Sequence, residues 1–368
     1  MSFESYVLRL MAEEEPGIAG RAVLSGLALL EKAYIRGVEK KRAGDSAGAV
    51  RAGVPVISVG NITAGGTGKT PCIMYLAACL QKKGTVPAIL TRGYRGGLEK
   101  KGGIVSDRTS IRVTQEEAGD EPFMMARKLP GVPVIAGRDR TVSAAAAKAL
   151  GADVLLLDDG FQYWKLARDL DIVLIDSTNP FGGGRVLPRG LLREPMEALA
   201  RAGLFILTKA GQTNGTEREK IRKEIQQYNP RAAVIEADHA PKSLTPIGEW
   251  PKISPLSELP AHSVFLLSGI GNPGAFRKTA EEAGLDVRGS MALPDHHGYA
   301  EEDLRKAAAE AEACGAECIV ITEKDAVKIK EHLHWNGAGA VPVYVLGIEM
   351  TFSGDGEDIF IKTVEDIL

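Results

Sequence analysis

The chain has 368 residues, 44% of them hydrophobic and 25% charged, with a formal net charge of -3. That length suits two domains, each large enough to bury a core, and the composition is that of a globular chain rather than a disordered or membrane-spanning one. The charge balance lacks the basic excess of a nucleic-acid binder, and Cys72, Cys79, Cys314 and Cys318 show neither CxxC nor zinc spacing, so they read as reduced thiols.

The first residues, MSFESYVLRLMAEEEPG, carry three consecutive glutamates where a signal peptide needs a basic start and an apolar stretch, so export is not expected. The longest uncharged run that follows, Ala22–Leu30, is far short of the roughly 20 residues of a spanning helix. Val23, Leu27, Leu30, Tyr34 and Val38 recur at helical spacing, and Arg36, Lys40, Lys41 and Arg42 close the segment. Residues 1–42 therefore read as an amphipathic helix with a basic tail, which can dock on its own domain or lie on a membrane surface.

From residue 54 short apolar runs alternate with helical stretches. Val54–Val59, Val86–Leu90, Val132–Ile135, Val154–Leu157, Ile172–Ile175, Leu204–Leu207 and Ala233–Ile235 are expected to be buried strands, because they are apolar without alternation and sit between turn residues. Pro71–Lys82, Arg140–Leu150 and Glu217–Tyr228 have helical composition. The alternation predicts a parallel sheet with helices on both faces.

Pro241, Pro246, Pro251, Pro255 and Pro260 forbid a long helix or central strand, so 241–262 reads as a linker. Beyond it, strands are expected at Val264–Leu267, Asp286–Leu293, Cys318–Thr322 and Val341–Leu346, and helices at Pro273–Ala283, Glu301–Ala313 and Lys324–Leu333. The domains expected are thus 43–240 and a smaller α/β unit over 263–368. No internal repeat suggests a solenoid.

The sharpest local signal is Thr63-Ala64-Gly65-Gly66-Thr67-Gly68-Lys69-Thr70, placed between an expected strand and helix. Glycines let successive N–H groups point at a polyphosphate, the helix N-terminus adds partial positive charge, Lys69 reaches the outer phosphates and the Thr70 hydroxyl suits magnesium. Thr63 stands where GxxxxGK[ST] has its first glycine. The VLLL strand ends at Asp158 and Asp159, carboxylates that can reach the same magnesium. Asp176, ending the next strand, is a weaker candidate of the same kind and reads better as a capping residue or turn former. Thr208-Lys209-Ala210-Gly211 lacks the aspartate of a guanine-reading [NT]KxD motif, so ATP is expected over GTP.

Arg92, Arg95, Arg138, Arg140, Arg185, Arg189 and Arg193 lie on expected loops or their edges, where phosphoryl transfer wants cations, although each alone could be a surface charge. Asp120 and Glu121 open a helix, where the macrodipole alone favours acids. Asp295-His296-His297 makes a poor chelate, and an Asp–His pair for proton handling or a capping aspartate beside a surface histidine both fit.

Together these segments resemble the tetraacyldisaccharide 4'-kinases, lipid A pathway enzymes that phosphorylate a tetraacylated glucosamine disaccharide 1-phosphate from ATP. The resemblance runs from VPVISVGNITAGGTGKTP through LTRGYRG, GDEP, LLLDDGFQ and LPRGLLREP to PDHHGY and ITEKDAVKI. It implies two α/β/α sandwich domains, the first P-loop NTPase-like, with the active site between them. Lys69 and Thr70 would then hold phosphate and magnesium, and Asp158 and Asp159 would supply magnesium-site carboxylates. Asp120 would be the base toward the 4'-hydroxyl, assisted by His296 with Glu121 nearby. Arg140 and Arg193 would be cations near the phosphates, with Arg138 and Arg189 as rivals. An acylated substrate implies a peripheral protein at the cytoplasmic face of the bacterial inner membrane, reached through the N-terminal helix. No nucleic-acid or obligate protein partner is expected. The Thr322-Glu323-Lys324-Asp325 turn receives no chemistry.

Two other classes share the nucleotide loop. A P-loop switch ATPase or metallochaperone carries a second lysine just before the two glycines, where this chain has Ala64. A membrane-attached nucleotide-binding module would bind ATP without turnover.

Overall fold

The computed structural model of the chain describes residues 17–256, 262–329 and 341–368. The helix α1 (Ile18–Ala47) leads, and is followed by β1 (Val56–Asn61), α2 (Lys69–Lys82), β2 (Pro87–Thr91), α3 (Leu98–Lys101), β3 (Gly103–Ser106), α4 (Gln115–Ala118) and α5 (Asp120–Lys128). Then come β4 (Val134–Ala136), α6 (Arg140–Ala149), β5 (Val154–Asp158), β6 (Leu170–Asp176), β7 (Leu204–Thr208), α7 (Gly215–Tyr228) and β8 (Ala233–Pro246). The remainder is β9 (Ser263–Ser268), α8 (Pro273–Glu282), β10 (Asp286–Ala292), α9 (Glu301–Ala313), β11 (Cys318–Thr322), α10 (Glu323–Ala326), β12 (Val343–Phe352) and α11 (Gly356–Glu365).

These strands form one mixed, mostly parallel sheet in the order β10-β9-β11-β12-β8-β7-β6-β1-β5-β2-β4-β3. Only β3 with β4 and β8 with β12 pair antiparallel. Every residue of β1, β5 and β7 is buried, because successive side chains feed cores on opposite faces of the sheet. Ile57, Val59, Leu156, Ile206, Phe265, Ile319 and Val345 belong to one core that runs through both halves. On the opposite face the apolar residues split into three clusters, around Phe205, Leu155 and Val320. The four cysteines are free thiols.

Three details depart from expectation. The proline-rich stretch is not free of strand structure: β8 pairs with β7 up to Glu236, then switches to β12, where Pro241 lies opposite Ile348 and Pro246 opposite Tyr344. Past Ala237 the strand is laddered by β12, with a single bridge from Ser243 to Pro255 on its other side, and a register shift falls at Gly347/Ile348. Proline is barred only where its N–H must pair, so an edge-like, bulged segment tolerates it. The short β3, apolar for only three positions, has no counterpart among the expected strands. The helix expected over Lys324–Leu333 is a single turn, Glu323–Ala326, capped by Thr322, whose hydroxyl accepts the Asp325 N–H; residues 330–333 lie outside the described residues.

Asp325 turns inward because it has a buried task. It is fully buried, 2.7 Å from Lys328 Nζ, and accepts the Gly269 N–H, while Lys328 donates to the Gly269 carbonyl at 2.8 Å. The pair pins the loop after β9. Asp325→Ala leaves the Lys328 ammonium buried without its counter-ion and should destabilise the fold by about 3–5 kcal/mol. Denaturant unfolding checks this, and a loss within the surface-substitution range would contradict it.

Candidate active site

The loop after β1 is shaped locally and then clamped from outside. Asn61 Nδ2 donates to the Thr63 carbonyl at 2.7 Å, and Gly65 and Gly68 take φ of +116° and +86°, the left-handed region open to glycine. A Cβ on Gly68 would lie 2.4 Å from His239 Cε1, so this glycine is also required by close approach. The Ala64 N–H donates to the Leu191 carbonyl and the Arg193 N–H to the Ile62 carbonyl, both at 2.7 Å, with Thr63 bridged to Leu192. That extended bridge explains why Thr63 can replace the first motif glycine. The clamp is itself held by α1, where the buried Glu31 accepts the Val186 N–H at 2.8 Å.

Charge converges on this loop. Lys69 Nζ donates to Asn61 Oδ1 at 3.3 Å and lies 3.5 Å from Asp159, whose two oxygens each accept Arg193 Nη1 at 2.8 Å. Burial pushes the Asp159 carboxyl up, but Lys69 and Arg193 outweigh it and hold it below its ordinary value. Asp158 accepts the Thr91 hydroxyl at 3.0 Å. Its burial, then the negative charges of Glu121 and Asp159, push its carboxyl up to about 7.

The second half of the sheet supplies the opposite wall. His296 Nδ1 lies 2.9 Å from Asp120 Oδ2, and Gln115 Nε2 donates to Asp120 Oδ1 at 2.5 Å. The Tyr94 ring meets the His296 ring edge-on with centroids 5.9 Å apart. Lys324 Nζ stands 3.3 Å from Asp295 Oδ1 and 3.9 Å from Glu121 Oε1. Asp159, Lys209 and His296 line the cleft with positive φ, three of only four such non-glycine residues among those described. Strain of this kind gathers where function fixes geometry.

A cleft of about 970 Å³ collects Thr63–Thr70, Asp120, Glu121, Asp158, Asp159, Arg193 and His296. Arg140 does not line it: its guanidinium is buried over the Tyr163 ring, and the Asp158 charge supports it from behind β5. Arg138 pairs with Glu99 and Arg189 with Glu31, both away from the cleft. Asp176 forms the expected turn, accepting from Thr178, and also pairs with Lys209. Lys209, Tyr94, Asp295 and Lys324 were missed as wall residues; only their positions after expected strands or beside expected site residues hinted at them.

A carboxylate pair, a lysine and a hydroxyl grouped at a glycine loop between parallel strand and helix define a P-loop phosphotransferase. The family model for "Tetraacyldisaccharide-1-P 4'-kinase" matches residues 21–367. Tetraacyldisaccharide 4'-kinases of Halothermothrix orenii and Geobacter sulfurreducens are each 38% identical, covering 95% of this chain and 95% and 96% of their own lengths. The enzyme of that name from Anaeromyxobacter sp. strain Fw109-5 is 45% identical over 76% of this chain. A solved LpxK structure from Aquifex aeolicus in complex with ATP superposes with a TM-score of 0.72 at 30% identity, covering 94% of this chain and 99% of that one. The chain belongs to the tetraacyldisaccharide-1-P 4'-kinase family. It is a kinase of lipid A biosynthesis, phosphorylating the 4'-position at the expense of ATP.

The unfolded Asp158 ionises near pH 4 and the folded one near 7, so its charge destabilises the fold increasingly as pH rises between those values. Asp158→Asn removes that cost. In ligand-free protein the stability gained should be on the order of 2 kcal/mol larger at pH 8 than at pH 5. Urea unfolding at the two pH values measures it, and equal gains would contradict the raised Asp158 carboxyl.

Proposed function

We propose that Asp120 is the base toward the sugar 4'-hydroxyl and that His296 supports it, with the nucleotide phosphates on the Thr63–Thr70 loop opposite. The observation that carries this is the 2.9 Å contact of His296 with Asp120 across the cleft from Lys69. Lys69 and the N-terminus of α2 meet the outer phosphates, and Arg193, already turned into the site by Asp159, adds a cation near them. The solved Aquifex relative, in complex with ATP, supports this placement.

The donor set also fits magnesium. Among the described residues no three His, Cys, Asp or Glu side chains form a metal cage, whereas magnesium is held by one or two carboxylates with phosphate oxygens and water. Burial and then the neighbouring charges of Glu121 and Asp159 raise Asp158, and a cation would offset both. Thr70 and Asp158, with Asp159 beside them, would hold the ion, which when bound neutralises charge on the transferring phosphoryl group. The proton is then the task of the protein. Asp120, oriented by Gln115 and His296, takes it from the hydroxyl as the oxygen attacks in line. Arg140, buried over the Tyr163 ring and outside the cleft lining, meets no phosphate.

We further propose that residues 1–42 bring the kinase to the cytoplasmic face of the inner membrane, with lobes 43–240 and 263–368 on either side of the cleft. No described helix is long and apolar enough to cross a membrane. In α1 the line Leu24, Ala28, Glu31 and Ile35 faces the protein, yet Leu29 and Leu30 are 71% and 57% exposed, Arg36 and Lys40 are exposed as well, and the Lys41 ammonium stands over the Trp164 ring. Apolar and basic groups on one open face suit an anionic lipid surface.

Purified protein with magnesium, γ-labelled ATP and tetraacyldisaccharide 1-phosphate in micelles should yield labelled lipid, and Lys69→Ala should abolish it. Asp120→Ala should lower kcat on the order of 10²–10⁴-fold with ATP affinity little changed, and His296→Ala should cost less. Wild-type turnover in Asp120→Ala would refute the base. The pair Leu29→Glu/Leu30→Glu should weaken binding to anionic vesicles while nucleotide binding persists; undiminished vesicle binding would remove α1 from the membrane role. Point changes are preferable to deleting 1–42, which would also take away Glu31 and its hold on Val186.

A further inference from the structure

Lys324 belongs to a sequence segment, Thr322–Asp325, that the reaction as described leaves without work, yet its ammonium stands in the cleft. It is placed there by α10, whose turn is anchored from below by buried Asp325. The side chain is only 21% exposed and faces two carboxylates, Asp295 at 3.3 Å and Glu121 at 3.9 Å. Asp295 in turn lies beside the far nitrogen of the histidine: His296 Nε2 is 3.7 Å from Asp295 Oδ2. The imidazole therefore sits between two acids, Asp120 at Nδ1 and Asp295 at Nε2, and the second acid is matched by a lysine.

The physical consequence concerns the base. A ring flanked by two anions favours the imidazolium. An imidazolium paired with Asp120 would draw off the basicity that Asp120 needs, whereas a neutral imidazole donating from Nδ1 orients Asp120 and leaves it basic. The groups facing His296 are Asp120 from α5, Tyr94 from the loop after β2, Asp295 from its own segment, and Lys324 from α10, with Glu121 beyond Lys324. Of these, Lys324 is the cation placed to cancel Asp295. Its position between Asp295 and Glu121 also joins the second lobe to the first at the residue next to the base.

We propose that Lys324 and Asp295 are positioning residues of the phosphoryl transfer, which together balance the charge on the Nε2 side of His296 and so keep Asp120 competent as a base. This rests on the assignment of Asp120 and His296 as the base pair. Loss of the lysine exposes the Asp295 charge to His296, and loss of the Asp295 charge does the reverse, so the two changes act with opposite sign. Removing both restores the balance.

The test follows the His296 titration by NMR in nucleotide-free wild type, Lys324→Gln, Asp295→Asn and the double variant, and the acid limb of kcat against pH in the same proteins. Lys324→Gln should move both the titration and the limb to higher pH, by about half a unit or more. Asp295→Asn should move both to lower pH, and the double variant should lie near wild type. Lys324→Arg should retain the wild-type profile, and the KM for ATP should stay within about twofold throughout. Single variants that leave the titration unmoved, or that move it in the same direction, would overturn the proposal, the latter pointing to loosening of the loop. Opposite shifts of the histidine with an unmoved kcat profile would instead overturn the Asp120–His296 base, and with it the catalytic meaning of Lys324.

Discussion

One strand belongs to two hydrogen-bonded ladders, and the active site depends on it. The first residues of β8 complete the parallel sheet that carries the nucleotide loop, and its later residues pair antiparallel with β12 in the second half. Backbone hydrogen bonds in register fix relative position far better than a flexible linker can. His296, on a loop of the second half, and Lys324, on its α10, are thereby held opposite Asp120 and Glu121 on the first. His239 of the same strand packs against Gly68 of the nucleotide loop, so the crossing strand also touches the phosphate side.

Electrostatics is the second organising force. The cleft gathers Asp120, Glu121, Asp158, Asp159, Asp176 and Asp295, a concentration of negative charge that would repel a triphosphate unless it were compensated. Compensation is arranged pair by pair: Lys69 and Arg193 with Asp159, Lys209 with Asp176, Lys324 with Asp295. Burial first, then the charges of Glu121 and Asp159, raise the Asp158 carboxyl to about 7, and a divalent cation suits that corner.

Much of the nucleotide half was legible in the chain because its determinants are local. Continuous apolar runs mark strands buried on both faces, and the glycines, Lys69 and Thr70 lie within a few residues of one another. The departures have equally physical causes. The prolines of 241–246 argue against a central strand only if every N–H must pair, and here the side of β8 away from β12 carries no full ladder, only a bridge of Ser243 to Pro255. Arg140 carried a plausible charge at a plausible loop, but its guanidinium is turned inward by the Tyr163 ring and its own helix start. Lys324 gave no local sign of chemistry, because its partners lie 29 and 203 residues away, at Asp295 and Glu121.

Composition, periodicity and the glycine loop by themselves determined an α/β protein with a phosphate-binding strand–loop–helix unit and carboxylates ready for a cation. Tertiary structure alone decided that Asp120 meets His296, that Thr63 can stand in for glycine through its bridge to Leu192, and that Lys324 faces Asp295. The division follows from range. Backbone conformation and face burial are set by neighbours a few residues apart, whereas the charge state of a catalytic group is set by whatever the fold brings within a few ångströms of it.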